Sequence, residues 1–353
     1  MLGHIKKTNP KMRLTTRDII HQHFEQADLR TYFVGFDFGE FRYDALTELL
    51  MDSIVDFAFG YHTGILKQYD RRKLIEAAKS IYNIKEYQVT KKIYVDDDSC
   101  LNDCEIEIEE KYLKRGEFGE LILHLLLRDF INTIPLVSKI HFKDTDGATV
   151  HGFDLVHIGP DLNDKNVTSL YFGESKLYSR KNGKAGVYGI YDLIEDIKSH
   201  FNKDFLYREI ALIGKKKYSF MPPDEYEDKN TKEEYIRFLE AKKHWFDVLS
   251  QVEQKNAKLQ DFLKSVTIPL VCTYQSELYE NHSDETTGSF IQEYEKEMIL
   301  LQEYFKRKIS EIKDTVGEPV KTDLNIILIL FPIPSKKELL KKLHTKLYHQ
   351  QNA

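Results

Sequence analysis

The sequence predicts an α/β fold, a mixed central sheet flanked by helices and carrying helical insertions. Three observations lead there. Short apolar segments at 136–144, 149–159, 170–178, 265–275 and 324–334 have the length and composition of strands. Segments with helical apolar spacing lie before and among them, the strongest being "GEFGELILHLLLRDFIN" at 116–132, ahead of the first. The order is helix, three strands, helix, helical insert, strand, helical insert, strand, helix, which fits one sheet with helices packed on it.

Taken in order, residues 14–84 read mainly as helices, in "TTRDIIHQHFEQ", "FRYDALTELLMDSIVDFAFG" and "DRRKLIEAAKSIY". An acidic stretch follows at 94–116, with room for a short strand at Cys104–Ile108, and a loose boundary falls near 105. This divides the chain into a mainly helical N-terminal region, 1–105, and a core region, 106–353. After the helix at 116–132, "LVSKIHFKD" and "TVHGFDLVHIG" read as strands joined through a turn at Asp144–Gly147. The loop "GPDLNDKNVTS", the strand "LYFGESKLY" and the helix "GIYDLIEDIKSHFN" come next. "SVTIPLVCTYQ" and "LNIILILFPIP" are further buried strands, and the charged intervals at about 203–263 and 284–315 are helical insertions.

The 353 residues are 41% hydrophobic and 31% charged, which excludes a disordered or membrane-embedded chain. The longest apolar runs are too short to cross a bilayer, and the N-terminal stretch lacks the apolar core of a signal peptide. Three cysteines, Cys100, Cys104 and Cys272, fit a reducing compartment and lack the second pair of a zinc site; they read as structural. The expected location is the cytoplasm. A formal charge of −6 argues against coating nucleic acid by bulk attraction but leaves room for local phosphate contacts.

"YFGESKLY" carries the chemistry. Strand alternation puts Glu174 and Lys176 on one side and Gly173 and Ser175 on the other. Ionised groups in such an apolar strand are costly unless something binds them. Asp154 sits in an equally apolar setting on the preceding strand, and antiparallel pairing would bring it beside Glu174. Two adjacent carboxylates repel, and a divalent cation resolves the repulsion; Mg²⁺ suits oxygen ligands. Glu117, Glu120, His124 and Arg128 form one polar stripe on the helix at 116–132, so Glu120 or Glu117 could add a third acid, with Glu120 deeper in the helix. A plain alternative is a buried Asp154–Lys176 ion pair joining two strands. E-x-K alone is weak, since it recurs at Glu109–Lys111, Glu227–Lys229, Glu240–Lys242 and Glu311–Lys313 in charge-rich or helical contexts.

His151 and His157 are both at odd offset from Asp154. His157 reads as a packed or hydrogen-bonded core residue, and His124 as the better candidate to support the acids. Arg180, Lys181 and Lys184, in the turn after the strand, are placed to contact phosphates without reading sequence. Trp245 and Phe246 could anchor a partner or pack against the core.

This order of elements, with Glu120 on the first helix, Asp154 on a middle strand and "GESK" on the next, resembles the PD-(D/E)xK nuclease superfamily, with Phe153 where that motif has proline. The longer signature "RGEFGELILHLLL…HGFDLVHIG…LYFGESKLY" resembles the HamA/AbpA family, which includes the nuclease subunits of Hachiman anti-phage defence. The match is clearest over about 115–200. The resemblance implies a restriction-endonuclease-like core within 106–353. It implies a DNase that uses Mg²⁺ or Mn²⁺ and works with a superfamily 2 helicase, HamB in the Hachiman case. Position by position, Glu120, Asp154 and Glu174 become metal ligands, with the Ser175 carbonyl as a further one, and Lys176 orients or activates water. Whether Lys176 acts as a base or as a cation stays open, because a metal and the carboxylates push its pKa in opposite directions. Cleavage without strong sequence specificity is expected. A nuclease-like scaffold that binds DNA or the helicase without cutting, and a stand-alone restriction or repair nuclease, are the competing readings.

Overall fold

A computed structural model of the chain describes residues 15–60, 71–84, 116–137, 152–162, 164, 167–179, 183–215, 229–312 and 324–353. Its first part holds α1 (Thr16–Ile19), β1 (Ile20–Glu25), β2 (Leu29–Val34), the small hairpin of β3 (Phe36–Asp37) and β4 (Glu40–Phe41), then α2 (Tyr43–Phe59) and α3 (Arg71–Ile81). The core follows with α4 (Glu117–Ile131), β5 (Ile134–Val137), β6 (Leu155–Pro160), β7 (Thr168–Tyr178) and α5 (Ala185–His200). The remainder comprises α6 (Lys203–Lys215), α7 (Lys229–Glu253), α8 (Leu259–Leu263), β8 (Val266–Gln275), α9 (Leu278–Asn281), α10 (Gly288–Ser310), β9 (Asn325–Ile333) and α11 (Lys336–Gln351).

Seven strands form one mixed sheet in the order β1-β2-β9-β8-β7-β6-β5. The pairs β7–β8, β8–β9 and β2–β9 are parallel, whereas β5–β6, β6–β7 and β1–β2 are antiparallel. The mixed sheet expected from sequence is present, and the late strands lie where the apolar segments placed them. One expectation needs correction. "TTRDIIHQHFEQ" is not a helix: after one turn at Thr16–Ile19 it becomes β1, the edge strand beside β2. The reason is tertiary. "LRTYFV" is buried at every position of β2, and pairing with it outweighs a local helical spacing worth only tenths of a kcal/mol per residue. Because β2 also pairs with β9, residues 20–34 share the sheet of the core. The expected boundary near 105, the strand at Cys104–Ile108 and the turn at Asp144–Gly147 lie outside the described residues.

Alternation along β7 sorts its side chains between two cores. Leu170 and Phe172 join α5, α6, α7, α8 and α10 on one face; Tyr171 and Leu177 join α2, α3, α4 and α11 on the other. Helix α4 is apolar almost all round because it is covered on both sides, and Asn132, at φ 60°, ends it in the left-handed conformation that asparagine tolerates. Two glycines let α5 pack closely: a Cβ at Gly189 would meet Cys272 Sγ of β8 at 2.5 Å, and one at Gly186 would meet Leu301 of α10 at 2.9 Å and Tyr274 of β8 at 3.2 Å. Among the described residues no helix is long and apolar enough to cross a membrane.

Candidate active site

Leu155 stands opposite Gly173 in the antiparallel β6–β7 ladder, and the Asp154 N–H donates to the Gly173 carbonyl at 3.0 Å. The next position outward therefore sets Asp154 against Glu174, as the sequence suggested. Beyond that point β6 no longer flanks β7, and Asp154 takes over. Its Oδ2 accepts both the backbone N–H and the hydroxyl of Ser175, each at 2.8 Å. Among the described residues no strand flanks this side of β7 at this point, and a side chain takes that place.

Glu174 and Lys176 both turn toward α5. Glu174 is 2% exposed and its Oε1 lies 2.6 Å from His200 Nδ1. Lys176 Nζ forms an ion pair with Asp196 Oδ2 at 2.5 Å. The direct Asp154–Lys176 pair is therefore not what forms; Asp154 is turned to Ser175 and Lys176 to Asp196. Asp196 and His200 are one helical turn apart, on one side of α5. Neither was singled out from sequence. The only signal was an acid and an imidazole at i, i+4 in "EDIKSH", a spacing found on many solvated helix faces.

Glu120 arrives from the opposite layer. Its helix packs closely against β7, where a Cβ at Gly119 would come within 3.3 Å of Ser175 Oγ and 3.5 Å of Leu177 Cβ. Glu120 is buried and its charge is felt by Glu174, whereas Glu117 is only half-buried at the start of α4. The rest of the polar stripe serves other purposes. Arg128 binds Asp56 at 2.8 Å and Asp129 at 2.6 Å. His124 Nδ1 lies 3.3 Å from His157 Nε2, and His157 Nδ1 lies 2.7 Å from Thr133 Oγ1. His124 thus supports His157, not the acids directly, although both imidazoles and Asp154 line one narrow cavity. His157 is the hydrogen-bonded core residue expected.

The electrostatics follow from this crowding. Burial raises the Glu174 carboxyl well above its usual range, Asp154, Asp196 and Glu120 raise it further, and Lys176 opposes them. Burial pulls the Lys176 ammonium down, but Asp196, Asp154 and Glu174 outweigh it and hold its pKa above the ordinary lysine value. Burial also raises Asp196, offset by Lys176, and lowers His200 against the pull of Asp196 and Asp154. Four carboxyl groups, one ammonium and one imidazole share this space, an excess of negative charge whose oxygens suit a hard divalent cation. As the side chains stand, no group of three His, Cys, Asp or Glu among the described residues is arranged to hold a metal ion. Glu174 faces His200 and Asp154 faces Ser175, so a cation would have to draw them from those partners.

Lys184 is exposed at the start of α5, while Arg180, Lys181 and His151 lie outside the described residues. Trp245 is buried, its Nε1–H donating to Thr168 Oγ1 at 3.2 Å, and Phe246 is buried beside it; both pack within the insertion core. Cys272 is buried beneath α5, consistent with a structural role.

A family model described as HamA matches residues 12–347 of the chain. No curated protein matches it.

Proposed function

The chain belongs to the HamA family, and we propose that this component of Hachiman anti-phage defence is a metal-dependent DNA nuclease working with a helicase partner. The observation that carries the reading is the meeting of Asp154 and Glu174 across the β6–β7 pair, with Lys176 two residues on and Glu120 adding its charge from α4. A PD-(D/E)xK core would present its acids and lysine in this order.

Asp154, Glu174 and Glu120 would hold Mg²⁺ or Mn²⁺, with the Ser175 carbonyl on the edge of β7 that Asp154 meets. A cation there would polarise the phosphoryl oxygen and acidify water. The chain's own groups do the rest. Asp154 fixes the end of β7 through Ser175, which sets where Glu174 and Lys176 project. Lys176, paired with Asp196, is held toward its ammonium form by the surrounding carboxyl groups, and a bound cation would push it the opposite way, so it would serve either as a cation steadying the transition-state charge or as the group that activates water. Phosphates of the substrate would meet Lys184, a contact that positions DNA without reading its sequence.

The test is loss of linear and plasmid DNA in Mg²⁺ and in EDTA, with and without the helicase, for the wild type and Glu174→Ala. Metal-dependent loss that Glu174→Ala abolishes supports the nuclease. Equal behaviour of the two proteins in every arm favours the second reading, a scaffold that binds DNA or the helicase without cutting. That reading draws on the way Glu174 and Lys176 are already engaged by His200 and Asp196.

A further inference from the structure

A second lysine reaches the edge of β7 that Asp154 meets, from late in the chain. Lys336 opens α11, just after β9, and its Nζ donates to the carbonyl of Leu177 at 2.7 Å. Residues 173, 175 and 177 direct their backbone groups to the same edge of the strand by alternation. Gly173 meets Asp154 N–H there, Ser175 meets the Asp154 carboxylate, and Leu177 meets the Lys336 ammonium. Lys336 is thus next along the edge from Asp154, and Leu177 directly follows Lys176 in the chain.

Its surroundings are unlike those of the other lysine. Lys176 has Asp196 against it, whereas Lys336 is half-buried with a neutral carbonyl as its partner and, among the described residues, no carboxylate paired with it. Burial is what lowers its pKa. A partly desolvated cation held by one carbonyl keeps two N–H donors for an anion. Neighbouring lysines of α11 are used differently, since Lys342 and Lys346 bind Asp44 and Glu48 of α2 at 2.7 and 2.5 Å.

We propose that Lys336 binds a phosphate oxygen of the DNA strand seated at the Asp154–Glu174 edge, so that the β9–α11 junction supplies part of the substrate site. This rests on reading that edge as the place where a phosphodiester is bound. Lys336 is a positioning residue: it fixes the backbone beside the acids and Lys176, and its charge adds to binding without taking part in bond cleavage.

The experiment uses the full chain in EDTA, where binding is read apart from cutting. Anisotropy of a labelled DNA duplex is followed across a salt series for the wild type, Lys336→Met, Lys336→Arg and Lys337→Met, the last removing an exposed charge one residue away. Lys336→Met should weaken binding by roughly ten-fold at low salt and reduce the salt slope by about 1, uniformly across DNA sequences. Lys336→Arg should keep the slope, and Lys337→Met should leave binding and slope unchanged. A wild type that does not bind, or a Lys336→Met protein with the wild-type slope, overturns the proposal. So does a Lys336→Met protein that only melts earlier, since that marks a purely structural lysine. Binding that depends on Lys336 with no cleavage in Mg²⁺ would instead retain the phosphate contact and remove the nuclease reading.

Discussion

Glu174 Oε1 lies 2.6 Å from His200 Nδ1, so the most buried acid of the candidate site is held by the last residue of α5. The imidazole gives this carboxyl a partner that no strand neighbour offers. Replacing it leaves a buried acid crowded by Asp154, Asp196 and Glu120 with one support fewer. We expect His200→Ala to lower DNA cleavage by roughly ten-fold, the loss of one buried hydrogen bond to Glu174. The apparent Mg²⁺ requirement should rise with it. A metal titration of initial rates checks this, and an unchanged midpoint would separate His200 from the site.

Asp196 holds Lys176 in the same way. Asp196→Asn keeps the shape and removes the charge that fixes the ammonium. The expected outcome is a lower kcat with KM little changed, because the role proposed for the lysine lies at the transition state more than in binding. A rise in KM alone would mean that Asp196 serves only to hold α5 in place.

Helix α5 can carry these two residues to β7 because Gly189 has no side chain to meet Cys272 Sγ. Gly189→Ala forces the helix outward and should destabilise the protein by about 1–3 kcal/mol through overpacking. Chemical denaturation measures this. Pairing the change with Cys272→Ala, which removes the obstructing sulfur, should recover part of the loss.

The imidazoles of His124 and His157 are buried and neutral. Burial drives His124 well below its ordinary value, and burial with the Arg128 charge drives His157 down to about 3. Both folded-state values lie below that of the unfolded chain, so the unfolded state takes up more protons in acid. Their contribution is full above roughly pH 6.5 and is lost as pH falls below it. His157 should cost about 2 kcal/mol of stability by pH 5, and His124 adds a loss in the same direction. Thermal melts at pH 7 and pH 5 should show the drop, and His124→Leu should make it shallower.

Trp245 is a core residue with one satisfied polar atom. Trp245→Ala should cost about 3–5 kcal/mol, and Trp245→Phe much less. Equal melting of Trp245→Ala and the wild type would argue against a packing role.

Much of this was legible one element at a time. Glu174 and Lys176 share a face because alternation is a property of any strand, and β7 is apolar enough to read as one. Asp154 was found the same way, since an acid before "LVHI" is conspicuous. Glu120 stood out as a polar residue on an otherwise apolar helix, although its stripe also contained Arg128 and His124, which turned out to serve Asp56 and His157. A stripe shows which residues share a direction and says nothing of what meets them.

Periodicity, composition and the choice of Asp154, Glu174 and Lys176 as candidates came from the sequence, because each depends on residues a few positions apart. Partners were settled only in three dimensions. His200 on Glu174, Asp196 on Lys176, Lys336 on Leu177 and the conversion of 20–25 into an edge strand all depend on segments brought together by the sheet order. Their local signals are those of ordinary solvated helices, and burial against distant elements is what gives them a different role.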